Sequence, residues 1–488
     1  MAKQAGNMED QPLSDSVWSW MVTVVAVSLV LLWPAWYNGQ PILFPDSFGY
    51  ERAGAVTLNV IDFAGKASRV AAARNNVTID QAGDGVSTAR SPYYGVPLTL
   101  AIDVGGVWAV AILQALGVAT ALLMAMRRLR MSLPIAIATA LVLAIFGGLA
   151  VFTVALMPDI FLGLLVLGFA MLLAIPRLPR VERLLWLLAI VVSMLFHKAF
   201  LAVGIVLTTG AILCARRLLL ERATVLLLAG CCIVGVAGHE LVDVSVRQVT
   251  GRPPLSVPFL LARYAASPVL TNYLRENCSP PHFVICRYRS RLPMAPDEFL
   301  WGLRSIYVGV PYIDRQAIAS QANTVLRGAV AARPVGAAME AAHGAIAQLF
   351  TVGMGDFALG IPASTAVDAR LAPAMTVYPK SAIARGTFPF QPLGALEFGL
   401  YLIGGLTIGA MSFSVLRGVV PVASGHVRVD LMVTVLVGGV VFNGIVSGVL
   451  SGVFERYQGR IAWLLPFGAV VLWQARYRHR SVPTLPVQ

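Results

Sequence analysis

Residues 134–175 read PIAIATALVLAIFGGLAVFTVALMPDIFLGLLVLGFAMLLAI and contain a single charged side chain, Asp159. One helix needs about 20 predominantly apolar residues to cross the hydrocarbon core of a bilayer. The stretch is long enough for two such helices, and its only charged interruption is the MPD tripeptide. It therefore predicts two transmembrane helices, at 134–157 and 159–175, joined by almost no loop.

The whole chain shares this apolar character. Of its 488 residues 57% are hydrophobic and 12% are charged, and the mean hydropathy is +0.75, whereas a soluble domain carries about 25% charged residues. This composition excludes a disordered chain, a coiled coil and a soluble multidomain enzyme. Further apolar runs lie at 17–36, 97–126, 184–196, 199–215, 223–238, 393–416, 431–453 and 461–474. We therefore predict an all-α polytopic membrane protein with about ten transmembrane helices and a mostly helical periplasmic domain.

Arginine placement predicts the orientation in the membrane. Basic clusters follow or precede the spans at Arg127/Arg128/Arg130, Arg177/Arg180/Arg183, Arg216/Arg217/Arg222, Arg417/Arg428 and Arg476/Arg478/Arg480. With ten spans and a cytoplasmic N-terminus, all five clusters fall on the cytoplasmic side, as the positive-inside rule requires. We expect a multi-pass protein of the bacterial inner (plasma) membrane with both termini in the cytoplasm. The net charge of +13 is then explained by this orientation, and we predict no nucleic-acid partner.

The predicted organisation has five parts. They are a cytoplasmic tail at 1–16, a transmembrane module at 17–238 with a first periplasmic loop at 37–96, a periplasmic domain at 239–392, C-terminal transmembrane helices at 393–475 and a cytoplasmic tail at 476–488. The segment 239–392 holds 14 Arg and Lys against nine Asp and Glu. Long translocated domains escape the positive-inside rule, so this excess fits either an anionic ligand or a generally arginine-rich composition.

Two cysteines lie in the segment 239–392. Cys278 and Cys286 bracket a Pro-Pro turn, and an oxidising periplasm favours a short disulfide loop between them. The sequence has no CxxC or Cys/His spacing of the kind that holds zinc. The cysteines therefore predict a disulfide and no metal site.

Polar side chains collect at the predicted periplasmic ends of the spans. Asp46 follows the first span, with Tyr50 four residues later. It is either the N-cap of an interfacial helix or a carboxylate held at the membrane surface as a general base. Arg90 and Tyr93 lead into the second span, where aromatic residues either anchor the helix at the interface or line a substrate groove.

Two very short turns carry further charges on the same face. Asp159 lies at or just below the interface, where acidic groups are costly and usually functional, although it also suits the first turn of a helix. His197 and Lys198 stand in the FHKAF turn, and lysine is rare in this chain. Lys198 fits either a lipid phosphate or ordinary snorkelling at a helix end.

A compact polar group separates the last two spans. Its members are Glu455, Arg456, Tyr457 and Arg460, in the stretch FERYQGRIAWLLPF. Two arginines in a short loop on this side oppose the positive-inside rule and need another explanation. The planar guanidinium suits phosphate. The alternative is that Arg456 pairs with Asp159 or Asp46.

The order of these residues along the chain, and the membrane face that they share, resemble the pattern of the GT-C superfamily of membrane glycosyltransferases. Members place the catalytic Asp in the first outer loop, and PDSFGYERAG at 45–54 matches that position. Pro158-Asp159 matches a PD pair that opens the fourth span, His197 loosely matches a histidine turn, and ERYQGRIAWLLP at 455–466 matches a C-terminal segment. Many members have a second acidic residue where this chain has Ser47. The pattern is also similar to uncharacterised polytopic proteins of alphaproteobacteria.

The resemblance implies a hexosyl- or pentosyltransferase that moves a sugar from a polyprenyl-phosphate donor to a cell-envelope glycan or lipid on the periplasmic face, with Asp46 as general base. The implied substrate-binding residues are Tyr50, Arg90, Tyr93, Asp159, His197, Lys198, Glu455, Arg456, Tyr457 and Arg460. A divalent cation is the one cofactor left open. The alternatives are a glycolipid flippase or transporter, which usually shows internal repeats, and a noncatalytic envelope-assembly subunit.

Overall fold

In the computed structural model, the regular elements of the described part of the chain are all helical. That part comprises residues 17–63, 88–251, 253–279, 282–362, 365, 367–416 and 427–480. Five of its helices are long and apolar enough to cross a membrane, Val17–Asn38, Pro92–Arg128, Arg222–Thr250, Phe390–Ser412 and Val429–Leu450. This confirms the prediction of a helical chain with membrane-spanning character. The number of ten spans stays a prediction, and the tails at 1–16 and 481–488, residues 64–87 and Arg417 lie outside the description.

The helices up to residue 251 are α1 (Val17–Leu31), α2 (Trp33–Asn38), α3 (Pro45–Phe63), α4 (Pro92–Arg128), α5 (Leu133–Phe146), α6 (Leu149–Val154), α7 (Ile160–Ala174), α8 (Arg180–Phe196), α9 (Lys198–Cys214) and α10 (Arg222–Thr250). Those that follow are α11 (Phe259–Arg263), α12 (Pro268–Asn277), α13 (Pro296–Trp301), α14 (Tyr312–Ala332), α15 (Pro334–Phe350), α16 (Ala372–Val377), α17 (Phe390–Leu416), α18 (Val429–Leu450), α19 (Glu455–Ala462) and α20 (Leu464–Arg480). Three 3₁₀ helices lie at Val284–Arg291, Gly355–Leu359 and Tyr378–Lys380.

The helices differ from the predicted segments in two places. The span expected at 134–157 is interrupted at Gly147 and Gly148, because Gly148 adopts a φ of 72°, which only glycine reaches without strain. Helix α10 continues to Thr250, so the boundary expected between 238 and 239 falls inside a helix. The reason is that hydropathy drops at His239 while no helix-breaking residue occurs before Gly251.

The buried apolar side chains of the described residues form two large cores and a smaller cluster that includes Tyr50 and Tyr94. The larger core gathers side chains from α1, α2, α4 to α10 and α17 to α20. A second core, between residues 255 and 337, lies within the predicted periplasmic domain and contains the Cys278–Cys286 disulfide. Helix α15 belongs to the same segment but packs along α18, where a Cβ on Gly448 would lie 2.2 Å from the Gly344 carbonyl oxygen. The segment 239–392 is thus docked directly on the apolar helices.

The arginine clusters and the predicted site lie at opposite ends of the helices. Helix α4 starts after Arg90 and ends at Arg128, which forms an ion pair with Glu182. The carbonyl of Arg130 accepts a hydrogen bond from Gln474 Nε2 at 3.3 Å. These contacts bring together loops that the positive-inside rule assigns to one face. Which side of a membrane that face occupies stays a prediction.

Helix α3, which carries Asp46, packs backbone to backbone on α4. A Cβ on Gly54 would lie 2.1 Å from the Gly95 carbonyl oxygen, and one on Gly95 would lie 2.4 Å from the Tyr50 carbonyl oxygen. Thr99 Oγ1 donates a hydrogen bond to the Glu51 carbonyl at 3.1 Å. Because this contact leaves no room for side chains, it fixes the position of α3 relative to Arg90 at the start of α4.

Substitution of Gly54 by Ala is expected to lower the free energy of unfolding by about 1–3 kcal/mol, because the new methyl group meets backbone atoms that cannot move aside. Thermal unfolding of the purified protein measures the change. The control is Gly117→Ala in the same helix pair, since a Cβ there meets no atom within 4 Å and alanine gains up to about 1 kcal/mol of helix propensity. Equal effects of the two variants would contradict the close α3–α4 contact.

Candidate functional site

Two groups of ion pairs join distant parts of the chain at the end of the helices opposite the arginine clusters. The carboxylate of Asp46 lies between two guanidinium groups: Arg90 donates to Oδ1, and Arg456 Nη2 donates to Oδ2 at 3.3 Å. Arg460 Nη1 donates to Asp159 Oδ1 at 2.9 Å. Of the two interpretations of Arg456, pairing with Asp46 is thus present in the structure, and the partner of Asp159 is Arg460.

Asp46 is held by the start of α3 and by the loop before it. The helix begins at Pro45, so Asp46 lies in its first turn and is not the N-cap; proline at the first helical position sets φ and lacks the N–H that would be unpaired there. The Ile42 N–H donates to the Val154 carbonyl at 3.1 Å, and the Ile42 carbonyl accepts from Leu156 at 3.0 Å. These bonds attach the loop to the end of α6.

Helix α19 presents Arg456 and Arg460 on one face, because residues four apart are neighbours on a helix. Their guanidinium carbons lie 5.2 Å and 5.0 Å from the centroid of the Tyr457 ring. Arg456 also lies 4.4 Å from the ring of Phe44, and Arg460 lies 5.0 Å from that of Phe200. Such cation–π contacts favour the charged side chains in a desolvated place and hold the two guanidinium groups in fixed positions.

The Arg460–Asp159 pair is buried. The two residues are 2% and 5% exposed, and Arg460 Nη2 donates a second hydrogen bond to Asn443 Oδ1 at 3.2 Å. Asn443 comes from the middle of α18. A buried pair of this kind is retained only with good geometry and further hydrogen bonds, which Asn443 supplies.

Electrostatics keep Asp46 ionised. Burial by itself would raise the pKa of the Asp46 carboxyl, but the charges and hydrogen bonds of Arg90 and Arg456 outweigh burial and lower the pKa to about 2. The ion pairs of Asp46 therefore stabilise the folded state. This stabilisation is fully present when the pH is above 3.8, the ordinary pKa of the carboxyl, and it is lost as the pH falls through about 2. While both arginines hold it, Asp46 is a stable anion and a weak proton acceptor.

His197 is a neutral hydrogen-bond donor beside this cluster. Its Nδ1 accepts the backbone N–H of Ala199 at 3.1 Å, so the proton of the neutral ring resides on Nε2. The ring stacks on Phe200 at 4.9 Å. Burial, together with the charges of Arg460 and Arg90, lowers the pKa of His197 well below its usual value.

Several residues predicted to bind substrate make other contacts. Lys198 Nζ lies 3.7 Å from Asp243 on the exposed side of a cleft that His197 also lines. The Tyr93 hydroxyl donates to the Gly238 carbonyl at 2.9 Å. Glu455 accepts the Gly355 N–H at 2.7 Å and so anchors segment 239–392. Tyr50 is buried edge-on against Tyr94, with Arg90 over its ring at 5.7 Å.

Sequence reasoning missed three neighbours of the arginines. Asp356 Oδ2 accepts the backbone N–H of Arg456 at 3.0 Å, and Met157 Sδ accepts from Arg456 Nη1 at 3.5 Å. Asn443 is the third, and an amide within an apolar run was the signal that could have found it. The same signal marks Asp356, which is the one charged residue in the apolar run 345–361.

The described residues hold no group of three His, Cys, Asp or Glu side chains placed to bind a metal ion. Comparisons with protein-family models, with curated proteins and with solved structures each find no match to this chain.

Proposed function

We propose that the chain is an integral-membrane glycosyltransferase that moves a sugar from a polyprenyl-phosphate donor to a hydroxyl of an envelope glycan or lipid at the periplasmic face. The observation that carries this proposal is the meeting of Arg90, Arg456 and Arg460 with Asp46 and Asp159 at one end of the apolar helices. A lipid-linked phosphate places its charge at that depth, since its chain lies in the bilayer and its headgroup at the surface.

The arginines suit the phosphate of such a donor. Three guanidinium groups face two paired carboxylates, and the planar fork of Arg matches phosphoryl oxygens better than the ammonium of Lys. In a site of low dielectric, charges already in place stabilise a developing anion strongly. Arg90 and Arg456 therefore bind the phosphate, and Arg460 adds to the positive field.

In the proposed reaction the acceptor oxygen bonds to the anomeric carbon of the sugar. The bond from that carbon to the phosphate oxygen breaks, and its electron pair stays on the phosphate, which the arginines stabilise. The acceptor proton passes to Asp46, a step worth about 10²–10⁴-fold in rate. His197 donates from Nε2 to the sugar or the phosphate, and segment 239–392 covers the site and selects the acceptor.

A proton-coupled glycolipid transporter is the second candidate, and Glu397 is the observation that favours it. Glu397 lies in α17, is 1% exposed and has neither oxygen hydrogen-bonded within the described residues. Its Oε1 lies against the helix break at Gly148, 2.2 Å from where a Cβ would stand. Acidic groups inside spans and interrupted helices are typical of transporters.

Mass spectrometry of envelope glycans and lipids from a deletion strain separates the two candidates. Loss of one sugar with accumulation of the lipid donor supports the transferase, whereas completed glycolipid left on the inner leaflet supports the transporter. Complementation sharpens the test: the transferase predicts that Asp46→Asn fails and Glu397→Gln succeeds, and the transporter predicts the reverse. If both variants complement, the chain is a noncatalytic assembly subunit.

A further inference from the structure

The carboxylate of Asp46 bridges Arg90 and Arg456 with its two oxygens, one to each guanidinium. The phosphate of a polyprenyl-phosphate sugar is a diester, which also carries one negative charge shared by two free oxygens. A lipid diphosphate has more charge and more oxygens than this arrangement holds. Asp46 therefore occupies the arginines in the way that a phosphodiester would.

We propose that Asp46 holds the place of the donor phosphodiester in the unliganded protein, and that donor binding displaces it and so creates the general base. This inference rests on the proposed transferase function. The site would thereby be regulated by its own substrate: Asp46 is free to act as the general base only when the donor phosphate has replaced it on both arginines.

The exposures of the side chains favour exchange at Asp46 over exchange at Asp159. The side chains of Arg90 and Asp46 are each 21% exposed and that of Arg456 is 13% exposed, whereas those of Arg460 and Asp159 are 3% and 8% exposed. A headgroup can therefore reach the first group of ion pairs from outside. The rings of Phe44 and Tyr457 lie 4.4 Å and 5.2 Å from the guanidinium carbon of Arg456, and these contacts remain when the phosphate replaces Asp46 as the hydrogen-bond acceptor.

Displacement changes the chemistry of Asp46. Without its two arginine partners the partly buried carboxyl retains the desolvation that disfavours its charge, and the adjacent phosphate adds repulsion. Both effects make it a stronger proton acceptor. Among the described residues, Tyr50, His197 and Asp297 interact electrostatically with Asp46, and Asp159 and Asp356 interact with Arg456.

Equilibrium titration with farnesyl methyl phosphodiester tests the exchange in the full chain reconstituted in nanodiscs. Asp46→Asn is expected to bind this probe about 10- to 100-fold more tightly than the wild type, because the competing charge-assisted hydrogen bonds are gone. Asp356→Asn is the matched control: it removes a nearby negative charge that accepts the backbone N–H of Arg456, and it leaves the Asp46 bridge between the two arginines in place. Its affinity should therefore change by less than about threefold. Farnesyl methyl ether, which lacks the phosphate, measures partition into the lipid.

The outcomes separate the inference from the proposed function. Tighter binding by Asp46→Asn alone supports the exchange. Equal phosphodiester affinity in the wild type and Asp46→Asn overturns the exchange and leaves the lipid-phosphate substrate standing. If no variant binds the phosphodiester better than the ether, the proposed function itself fails.

A second measurement uses the wild type and so does not depend on the folding of Asp46→Asn. Titration calorimetry at about pH 4, near the ordinary pKa of an aspartate carboxyl, in buffers of different ionisation enthalpy is expected to show proton uptake on phosphodiester binding. The carboxyl regains at least its ordinary pKa when it leaves the two arginines, and the probe itself does not titrate there. The uptake should persist in Asp356→Asn. Binding without proton uptake would mean that Asp46 stays on its arginines, and would overturn the exchange.

Discussion

The Asp46→Asn protein is expected to fold and to bind its donor, yet to transfer sugar about 10²–10⁴-fold more slowly than the wild type. The amide keeps the shape of the side chain but takes up no proton from the acceptor. Single-turnover assays with a labelled polyprenyl-phosphate sugar measure the loss. Because competition for the arginines also disappears, kcat should fall while KM does not rise, which is not the pattern of a damaged fold.

Asp103→Asn provides the control for Asp46→Asn. Asp103 is a carboxylate of equal charge that pairs with Arg370 at the surface of α4 at 2.7 Å, so its removal should leave turnover within about twofold.

The pH profiles give a second check. The acid limb of kcat/KM reports the free enzyme, where the pKa of Asp46 is about 2, and that of kcat reports the donor complex. The acid limb of the kcat profile should therefore lie at higher pH than that of the kcat/KM profile. Acid limbs at the same pH would contradict the release of Asp46 by the donor.

The second large effect concerns the buried Arg460–Asp159 pair. Arg460→Met is expected to lower the free energy of unfolding by about 3–5 kcal/mol, since it leaves the Asp159 carboxylate buried without its counter-ion. The double variant Arg460→Met/Asp159→Asn should recover much of this loss, because no buried charge remains. Thermal unfolding of the two single variants, the double variant and the wild type gives the coupling of the pair.

The exposed Arg333–Glu276 pair is the control for Arg460–Asp159. Its Nη2–Oε1 distance of 2.6 Å is just as short, but both side chains reach solvent, so Arg333→Met should have little measurable effect. If Arg333→Met and Arg460→Met destabilise the protein equally, burial is not what makes the Asp159 pair important.

Much of the site could be predicted because placing a charged side chain in apolar surroundings costs free energy. Asp46, Asp159, Arg456 and Arg460 stand out in a sequence that is 12% charged, and their common face follows from counting spans. Which arginine meets which carboxylate could not be predicted. The partners are 301 and 410 residues apart, and their choice depends on how α7, α18 and α19 pack.

The pairing of Lys198 could not be predicted either. Lys198 starts α9, and its Nζ lies 3.7 Å from Asp243 on α10; a role with a lipid phosphate stays a prediction. The break in the span 134–157 was visible as the Gly-Gly pair at 147–148, a common turn signal. A hydropathy window averages over such a pair and therefore misses it.

The separation of Asp46 and Arg456 also has a consequence for biosynthesis. A ribosome adding about 5–20 residues per second needs roughly 20–80 s to reach Arg456 after Asp46, given the 410 residues between them. For most of that interval Arg90 has been synthesised and Arg456 has not, so the carboxylate has one of its two arginine partners. The pair of arginines proposed to bind the donor phosphate is therefore complete only when nearly the whole chain has been synthesised.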